Sequence, residues 1–255
     1  MRLIDPEHGV MTPAERQRRR RARIGTKVLN KIRRQKAKAK RQLAASATKR
    51  AQRELRLFAL VERSEQARVA LKEATNRYSV VLADCPWDFQ PYSRITGMDR
   101  SAENHYPVMD LDSIKALKVP AADDCVLFLW ATVPMLVQAI EVMVAWGFEY
   151  RSHVVWLKDR VGTGYWFRNR HELLLVGVRG TIPAPLPGMQ SESVITAPVG
   201  RHSEKPEVFH ELIERWYPDV PKLEMFARTR RAGWSAWGAE APTQDERPTA
   251  HTGAA

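Results

Sequence analysis

The sequence predicts an α/β fold in which helices cover both faces of a mainly parallel sheet, with a basic helical segment ahead of it. Charge divides the chain: residues 1–77 carry 23 Lys and Arg against 7 Asp and Glu, whereas the remainder carries 18 against 22. From Tyr78 onward, short apolar runs alternate with helical stretches, which is typical of strands joined by crossover helices. A hydrophobic content of 44% in 255 residues suits one packed domain with an accessory segment.

The accessory segment, residues 1–77, is predicted to form a long helix or a pair of helices. Thr12 as N-cap, Pro13 in the first helical position and Glu15 three residues after the cap form a helix-start pattern. Good helix formers follow, with Gly25 as the one candidate interruption. Apolar residues become denser over residues 55–71, so the later half of the segment is expected to dock on the main domain.

Basic residues make this segment a candidate for binding nucleic acid. The net charge of +12 favours a polyanionic partner. The side chains expected to contact phosphates are Arg18, Arg19, Arg20, Arg21 and Arg23. A solvated or disordered basic tail is the alternative interpretation.

The main domain is predicted over residues 78–240, followed by a disordered tail at 241–255 that is rich in Pro, Thr and Ala. Its strands are predicted at residues 79–83, 126–130, 152–157, 172–178 and 222–226, and its helices at 135–146 and 205–216. Residues 125–148 are apolar enough to resemble a membrane span. Because Pro134 divides this stretch and Gln138 and Glu141 interrupt it, a buried strand followed by a packed helix is the prediction.

The cysteines and histidines of the sequence indicate the redox compartment of the protein and whether a metal site is expected. Cys85 and Cys125 show no pairing pattern and the N-terminus has no apolar signal core, so we expect a reducing, cytoplasmic location and no membrane. No metal is expected, because the spacing of the histidines does not suit metal ligands. A homodimer is compatible with the sequence.

The tetrapeptide Asp84-Cys85-Pro86-Trp87 directly follows a buried strand, at the sheet edge where ligands bind in such folds. An acceptor pair made by the Asp84 carboxylate and the Cys85 carbonyl suits an exocyclic aryl amine, because it draws the nitrogen toward a nucleophilic geometry. Pro86 stiffens the loop. Trp87 offers a face on which an extruded base can stack.

Further blocks follow this tetrapeptide in a fixed order. They are residues 105–107 (HYP), 127–130 (LFLW), 164–166 (GYW) with 171–174 (HELL), 202–206 (HSEKP), 222–228 (KLEMFAR) and 233–234 (GW). Together they resemble the S-adenosylmethionine-dependent adenine-N6 methyltransferases with a DPPW-type motif, the family of the catalytic subunit of the messenger-RNA adenosine methyltransferase. The resemblance covers about residues 78–240 and is closer to the shorter bacterial and phage branch.

The resemblance implies a Rossmann-like methyltransferase sheet, S-adenosylmethionine as cofactor and a set of binding residues. Lys205 would hold the methionine carboxylate from a helix N-terminus, Asp84 the ammonium group, and Glu224 and Arg228 the ribose. The remaining cofactor candidates are Arg230, Arg231, Ala239 and Glu240. The substrate candidates are Trp87, His105, Tyr106, Tyr165 and Trp166.

Four positions depart from the family pattern. Cys85 replaces a proline, Arg230 and Arg231 replace a His and an Asn, and Ala239 replaces an Asn that contacts the cofactor adenine. A Cys85 thiolate nucleophile would need a His partner that the sequence does not place. The expected function is methyl transfer from S-adenosylmethionine to the N6 amine of adenine in nucleic acid, with DNA favoured over RNA. The alternative is a catalytically silent homologue that binds nucleic acid or a partner.

Overall fold

The computed structural model describes residues 4–5, 9–88, 108–162, 164, 166–200 and 204–241. All of the predicted tail except Ala241, and the candidates His105, Tyr106 and Tyr165, therefore lie outside the described residues. The chain divides into two compact units, residues 1–56 and 57–255. One long helix, α1 (Pro13–Glu73), runs from the first unit into the second. The predicted boundary at residues 77 and 78 stays a prediction.

The first unit consists of a short antiparallel pair, β1 (Ile4–Asp5) and β2 (Gly9–Val10), and the first part of α1. The predicted start is present, because the Thr12 hydroxyl accepts from the Glu15 amide at 3.3 Å and the Glu15 carboxylate accepts from the Thr12 amide at 2.8 Å. The helix continues through Gly25 without a break. Every described side chain from residue 12 to residue 56 is exposed, so helix propensity and local ion pairs stabilise this stretch.

A seven-stranded sheet forms the centre of the second unit, with strand order β7-β5-β6-β4-β3-β8-β9. The strands are β3 (Tyr78–Ala83), β4 (Ala121–Thr132), β5 (Glu149–Lys158), β6 (His171–Arg179), β7 (Val194–Ala197), β8 (Lys222–Met225) and β9 (Trp234–Trp237). Strand β6 is antiparallel to both neighbours, and the other adjacent pairs are parallel. The helices are α2 (Leu111–Lys115), α3 (Leu136–Ala145) and α4 (Glu207–Trp216).

Each face of the sheet carries its own core. Val81 and Leu127 belong to the face covered by α2, α3 and the end of α1, where Leu71 is buried. Phe128 and Trp130 belong to the other face, which α4 covers. The central strands β3 and β4 are buried on both faces, as their nearly continuous apolar sequences require. The predicted α/β fold, a mainly parallel sheet with helices on both faces, is confirmed.

The predicted strands and helices of the main domain are all present. The apolar stretch 125–148 forms the end of β4, a 3-10 turn (Val133–Met135) and α3, as predicted. Within the described ranges, no helix has the length and apolar character that crossing a membrane requires. The sequence did not predict β7, β9, α2 or the N-terminal strand pair.

Candidate active site

Strand β3 delivers Asp84 to the carboxyl edge of the sheet. The strand lies between β4 and β8, and its last four residues are buried. Two backbone hydrogen bonds then shape the tetrapeptide: the Trp87 amide donates to the Cys85 carbonyl at 2.9 Å, and the Met109 amide donates to the Pro86 carbonyl at 2.9 Å. A carbonyl oxygen has two lone pairs, so the Cys85 carbonyl keeps one acceptor position beyond its bond to Trp87.

The side chains of Cys85 and Trp87 point into the core. Burial raises the pKa of the Cys85 thiol well above its usual range, with the Asp84 carboxylate adding to the effect. The thiol is therefore neutral, which argues against a thiolate nucleophile. Trp87 is 7% exposed, and its Nε1 has no hydrogen-bond partner among the residues that the structure describes. Its predicted stacking role stays a prediction.

Lys205 meets Asp84 across the edge of the sheet. Lys205 Nζ lies 2.7 Å from Asp84 Oδ2. In the sequence, Lys205 comes two residues before the start of α4 at Glu207. The same Nζ lies 5.4 Å from the centre of the Trp130 ring, within cation–π range. Lys205 and Asp84 were both predicted to bind the cofactor, and the fold brings them together although 121 residues separate them.

A second acid and a second lysine extend this ion pair. Glu172, on β6, lies 3.5 Å through Oε2 from Lys205 Nζ, and its Oε1 accepts from Lys158 Nζ at 2.5 Å. Burial raises the pKa of Glu172, but the ammonium groups of Lys205 and Lys158 outweigh that effect and leave the pKa below its usual value. Four charges therefore alternate in the order Asp84, Lys205, Glu172, Lys158.

Sequence reasoning placed neither Glu172 nor Lys158 in the site. Glu172 belongs to the sequence block at residues 171–174, but the sequence alone assigns it no role. A usable signal was present: Glu172 is the only acid in the apolar run of β6, and a buried carboxylate requires a partner.

An open cleft with about 620 Å³ of empty space lies beside the ion pair. Its lining includes the predicted catalytic residues Asp84, Cys85 and Pro86. Three further predicted cofactor residues also line it, and they are Arg228, Ala239 and Glu240. Two residues that line the cleft, Gly238 and Phe226, approach each other closely. A Cβ on Gly238 would lie 2.9 Å from Phe226 Cα, and Phe226 itself adopts a left-handed φ of 62°.

The end of α1 belongs to the same cleft. Ser64 and Ala67 line it, and the Trp237 indole donates to the Ala67 carbonyl at 2.7 Å. The Arg63 guanidinium donates to the Ala241 carbonyl at 3.1 Å. The helix residues from 57 onward therefore pack in the unit that contains the sheet.

Comparison with known proteins identifies the family. The MT-A70 family profile matches residues 78–240. The chain belongs to the MT-A70 family. It is therefore a methyltransferase of an adenine-N6 methyltransferase family, and the predicted family and enzyme class are confirmed.

Individual relatives agree with this assignment. The chain is 35% identical over 183 residues to the type II methyltransferase M.MunI of Mycoplasma sp.. The matched segment covers 65% of this chain and 78% of M.MunI. It is 32% identical over 164 residues to the human N(6)-adenosine-methyltransferase catalytic subunit METTL3, covering 60% of this chain and 26% of METTL3. The chain thus spans about a quarter of METTL3, and the fuller match to M.MunI agrees with the bacterial-like branch.

The remaining cofactor candidates of this MT-A70 chain lie near α4. Glu224, on β8, lies 3.2 Å through Oε2 from His210 Nε2. Arg231 pairs with Glu207 and with Glu214, at 2.5 and 2.9 Å from the two oxygens of Glu214. Hydrogen bonding from Arg231 lowers the pKa of Glu214 to about 2. Glu224 and Arg231, like Lys205, are not among the residues that line the cleft, and the cofactor roles of all three stay predictions.

The predicted nucleic-acid contacts are exposed. Trp166 is 87% exposed and the adjacent Phe167 is 82% exposed, both between β5 and β6. In the first unit, the predicted phosphate contacts are exposed on α1, and they are Arg18, Arg19, Arg20, Arg21 and Arg23. Among the residues with assigned positions, no three His, Cys, Asp or Glu side chains group as metal ligands would.

Proposed function

We propose that this MT-A70 methyltransferase transfers a methyl group from S-adenosylmethionine to the exocyclic N6 amine of adenine in nucleic acid, with DNA favoured over RNA. The observation that carries the proposal is the Asp84–Lys205 pair, 2.7 Å apart, in which Asp84 follows β3 and lines the cleft. The preference for DNA rests on the fuller match to the bacterial type II methyltransferase than to the relatives named as adenosine methyltransferases.

The residues of the cleft fit S-adenosylmethionine. A zwitterionic amino-acid end needs an anion and a cation side by side, which Asp84 and Lys205 provide. Arg228 and Glu240, which also line the cleft, would supply polar groups for the nucleoside end. When bound, the cofactor supplies a methyl group already activated on a sulfonium centre.

The chain's own residues would activate the target amine. The Asp84 carboxylate and the remaining lone pair of the Cys85 carbonyl accept from the two N–H bonds of the amine. This arrangement draws the nitrogen lone pair out of the purine ring and toward the methyl group, and the two fixed acceptors preorganise the geometry. After transfer, the extra proton leaves to water or to Asp84.

Capture of nucleic acid is assigned to the basic segment, residues 1–77, ahead of a catalytic domain at residues 78–240. The exposed arginines at positions 18–23 supply sequence-independent attraction to phosphates. An adenine flipped from a duplex, or taken from a single strand, then reaches Asp84, with Trp87, Trp166 and Tyr165 as the candidate stacking groups. Both cysteines are free thiols and buried, which supports a reducing, cytoplasmic location.

The proposal is tested by methyl transfer from radiolabelled S-adenosylmethionine to matched DNA and RNA oligonucleotides that contain adenine. Label at N6 of DNA exceeding that of RNA supports the proposal in full. Label on RNA alone would contradict the preference for DNA. Label at another atom would contradict the N6 amine as the methylated position. Absence of label together with absence of cofactor binding would instead indicate the silent nucleic-acid-binding homologue.

A further inference from the structure

Two neighbouring aromatic side chains, Trp166 and Phe167, are the most exposed large apolar residues in the described part of the chain. They are 87% and 82% exposed, and they lie in the loop of residues 159–170 that joins β5 to β6. Single exposed apolar residues are common on protein surfaces, whereas adjacent exposed aromatic rings are typical of surfaces that bind a partner. Trp166 is already a candidate for stacking on the substrate, but Phe167 has no assigned role.

Backbone contacts hold the loop as a hairpin beyond the ends of the two strands. The Gly162 amide donates to the Asn169 carbonyl at 2.7 Å. Nearer the turn, a Cβ on Gly164 would lie 1.8 Å from the carbonyl oxygen of Phe167, so the backbone passes very close to itself there. The exposed aromatic rings are therefore carried on a shaped turn, which lowers the entropic cost of ordering them on a partner.

The hairpin leaves the sheet at the edge where Asp84 lies. Strand β6 is antiparallel to both β4 and β5, and β4 is parallel to β3, so β3 and β5 end at the same edge. Lys158, the last residue of β5, contacts Glu172 at 2.5 Å. Glu172 in turn lies 3.5 Å from Lys205, whose ammonium group pairs with Asp84. The aromatic turn thus belongs to the edge that would receive the target adenine.

The charge of the hairpin suits a polyanion. Residues 158–170 contain four basic residues and one acid. Three of the basic side chains, Arg160, Arg168 and Arg170, are exposed. Arg168 and Arg170 each donate Nε to a backbone carbonyl of the hairpin, at 3.3 and 2.9 Å, and a neutral carbonyl orients a guanidinium group without neutralising it. A base stack flanked by phosphates offers a surface for the aromatic rings and anions for these arginines.

We propose that Phe167 is a wedge that enters the base stack of double-stranded DNA as the target adenine is extruded toward Asp84. The proposal rests on the function proposed above and specifies its substrate as a duplex. An adenine inside a duplex must leave the stack before an active site can reach it, and its departure uncovers apolar base surface. Phe167 covers that surface and so favours the extruded state, in the way that apolar wedges stabilise unstacked steps.

Two other roles for Phe167 predict different results. If the aromatic pair forms a contact between two copies of the chain, Phe167→Ala should change the oligomeric state and slow the reaction on every substrate equally. If Phe167 only keeps the hairpin in shape, the defect should also be equal on every substrate. A wedge predicts a defect that depends on how firmly the target base is held, because an unpaired base costs less to extrude.

The kinetic test uses two duplexes built around the DNA sequence that the unmodified chain methylates. One is fully paired, and the other has an abasic site opposite the target adenine. We expect Phe167→Ala to lower kcat/KM about tenfold to a hundredfold on the paired duplex, which is the size of one base–aromatic stacking contact. On the duplex with the abasic site, the loss should be less than about threefold, because extrusion there costs less.

Two further variants serve as controls in this comparison. Phe167→Leu should keep most of the rate on both duplexes, because leucine also acts as a wedge. Leu186→Ala truncates another exposed apolar side chain, 67% exposed, and should leave both rates unchanged. Equal losses on the two duplexes in Phe167→Ala, or no loss on the paired duplex, would overturn the proposal. An unmodified chain that methylates single strands but not the paired duplex would also overturn it.

A fluorescence measurement tests the wedge without methyl transfer. The adenine analogue 2-aminopurine, substituted for part of the adenine in a duplex, fluoresces more strongly when it leaves the base stack. We expect its fluorescence to rise on binding of the unmodified chain and of Leu186→Ala, and to rise much less with Phe167→Ala at the same bound fraction. A rise that requires Phe167, in a chain that transfers no methyl group, would leave the wedge standing and remove only the proposed function. An equal response to all three chains would overturn the wedge, and label at N6 would then leave the proposed function standing.

Discussion

The carboxylate of Asp84 and the ammonium group of Lys205 lie 2.7 Å apart at the carboxyl edge of the sheet. Asp84 follows β3, and Lys205 precedes α4, so the two are positioned by different elements. Parallel strands and their crossover helices bring such residues to one edge, which is why ligands of this class of fold bind there. Most of the consequences that can be tested follow from this pair and from the cleft beside it.

Replacing Lys205 should weaken binding of S-adenosylmethionine. We expect Lys205→Met to raise the dissociation constant about tenfold to a hundredfold, because the partner of the methionine carboxylate is lost and a charged hydrogen bond is worth about 1.5–3 kcal/mol. Calorimetry with the purified chain measures this change. Lys118→Met, the same substitution at an exposed position, should leave the constant unchanged. Equal affinity in the Lys205 variant would refute its cofactor role.

Gly238 should tolerate no side chain. Its φ is 154°, and a Cβ added there would lie 2.9 Å from Phe226 Cα, so Gly238→Ala forces two backbone segments apart. We expect a loss of about 1–3 kcal/mol in the free energy of unfolding, together with weaker cofactor binding at the deformed cleft. Denaturant unfolding measures the first effect.

Gly188→Ala is the matched control for Gly238. Gly188 also has a positive φ, at 85°, but a Cβ there would meet no atom within 4 Å. Its variant should therefore lose stability through backbone strain alone and keep cofactor affinity. Equal effects of the two alanine substitutions on cofactor affinity would show that the contact with Phe226 does not shape the cleft.

The Glu214–Arg231 pair should make stability depend on acid pH. The pKa of Glu214 is lowered to about 2 by Arg231, from an ordinary value of 4.5, so the unfolded chain binds a proton here before the folded chain does. The contribution is complete above about pH 4.5 and disappears as the pH falls through 2. The melting temperature of the unmodified chain should exceed that of Glu214→Gln at pH 6, and the gap should close toward pH 2.

Solvent exposure limits the size of the pH-dependent stability contributed by Glu214, and a second glutamate on the same helix serves as its control. The Glu214 side chain is about a third exposed, at 32%, so solvent screening keeps the gap small. Glu211→Gln, on the exposed face of the same helix, should show no such pH dependence. A gap that is constant between pH 6 and pH 2 would mean that the loss in Glu214→Gln comes from packing rather than from the charge.

Neutralising the arginines of the first unit should flatten the salt dependence of binding to nucleic acid. If all five contact phosphates, changing each to Gln should reduce the slope of log K against log salt by about 4–5 for a DNA duplex, since each contact contributes about 0.9. The five residues are Arg18, Arg19, Arg20, Arg21 and Arg23. Fluorescence anisotropy over a salt series measures the slope.

The matched control for charge is a set of exposed arginines in the second unit, Arg151, Arg160 and Arg215. Their change to Gln should alter the slope less per residue removed. If both sets alter the slope equally per residue, the net charge of the whole chain attracts nucleic acid, and the five arginines of the first unit have no special role. An unchanged slope in the five-arginine variant would show that these arginines do not contact phosphates.

Much of the site could be predicted because its residues follow recognisable strand ends. Asp84 comes directly after the apolar run of β3, and Lys205 opens a helix, so the rule for parallel sheets places both at one edge. The partnership of Glu172 with Lys205 could not be predicted in this way. Glu172 lies within β6, which runs antiparallel to both of its neighbours in the seven-stranded sheet, and nothing in the local sequence indicates which face of the sheet it shares with Lys158.

Short elements and side-chain orientation were also beyond the sequence. Strands β7 and β9 have four residues each and lack strong flanking signals, and they form because neighbouring strands offer an edge. Trp87 was expected to present a face for stacking, whereas it is largely buried in this structure. A rotamer is chosen by packing around it, which a sequence motif does not contain.

The most direct test of the proposed function is methyl transfer to adenine by the unmodified chain and by Asp84→Asn, with Asp219→Asn as the exposed matched control. We expect N6-labelled adenine with the unmodified chain and the control. The Asp84 variant should bind nucleic acid normally and transfer far less label, because a neutral amide oxygen is a weaker acceptor than a carboxylate oxygen and Lys205 donates to the same side chain. Label transferred at the full rate by Asp84→Asn would contradict the assigned chemistry.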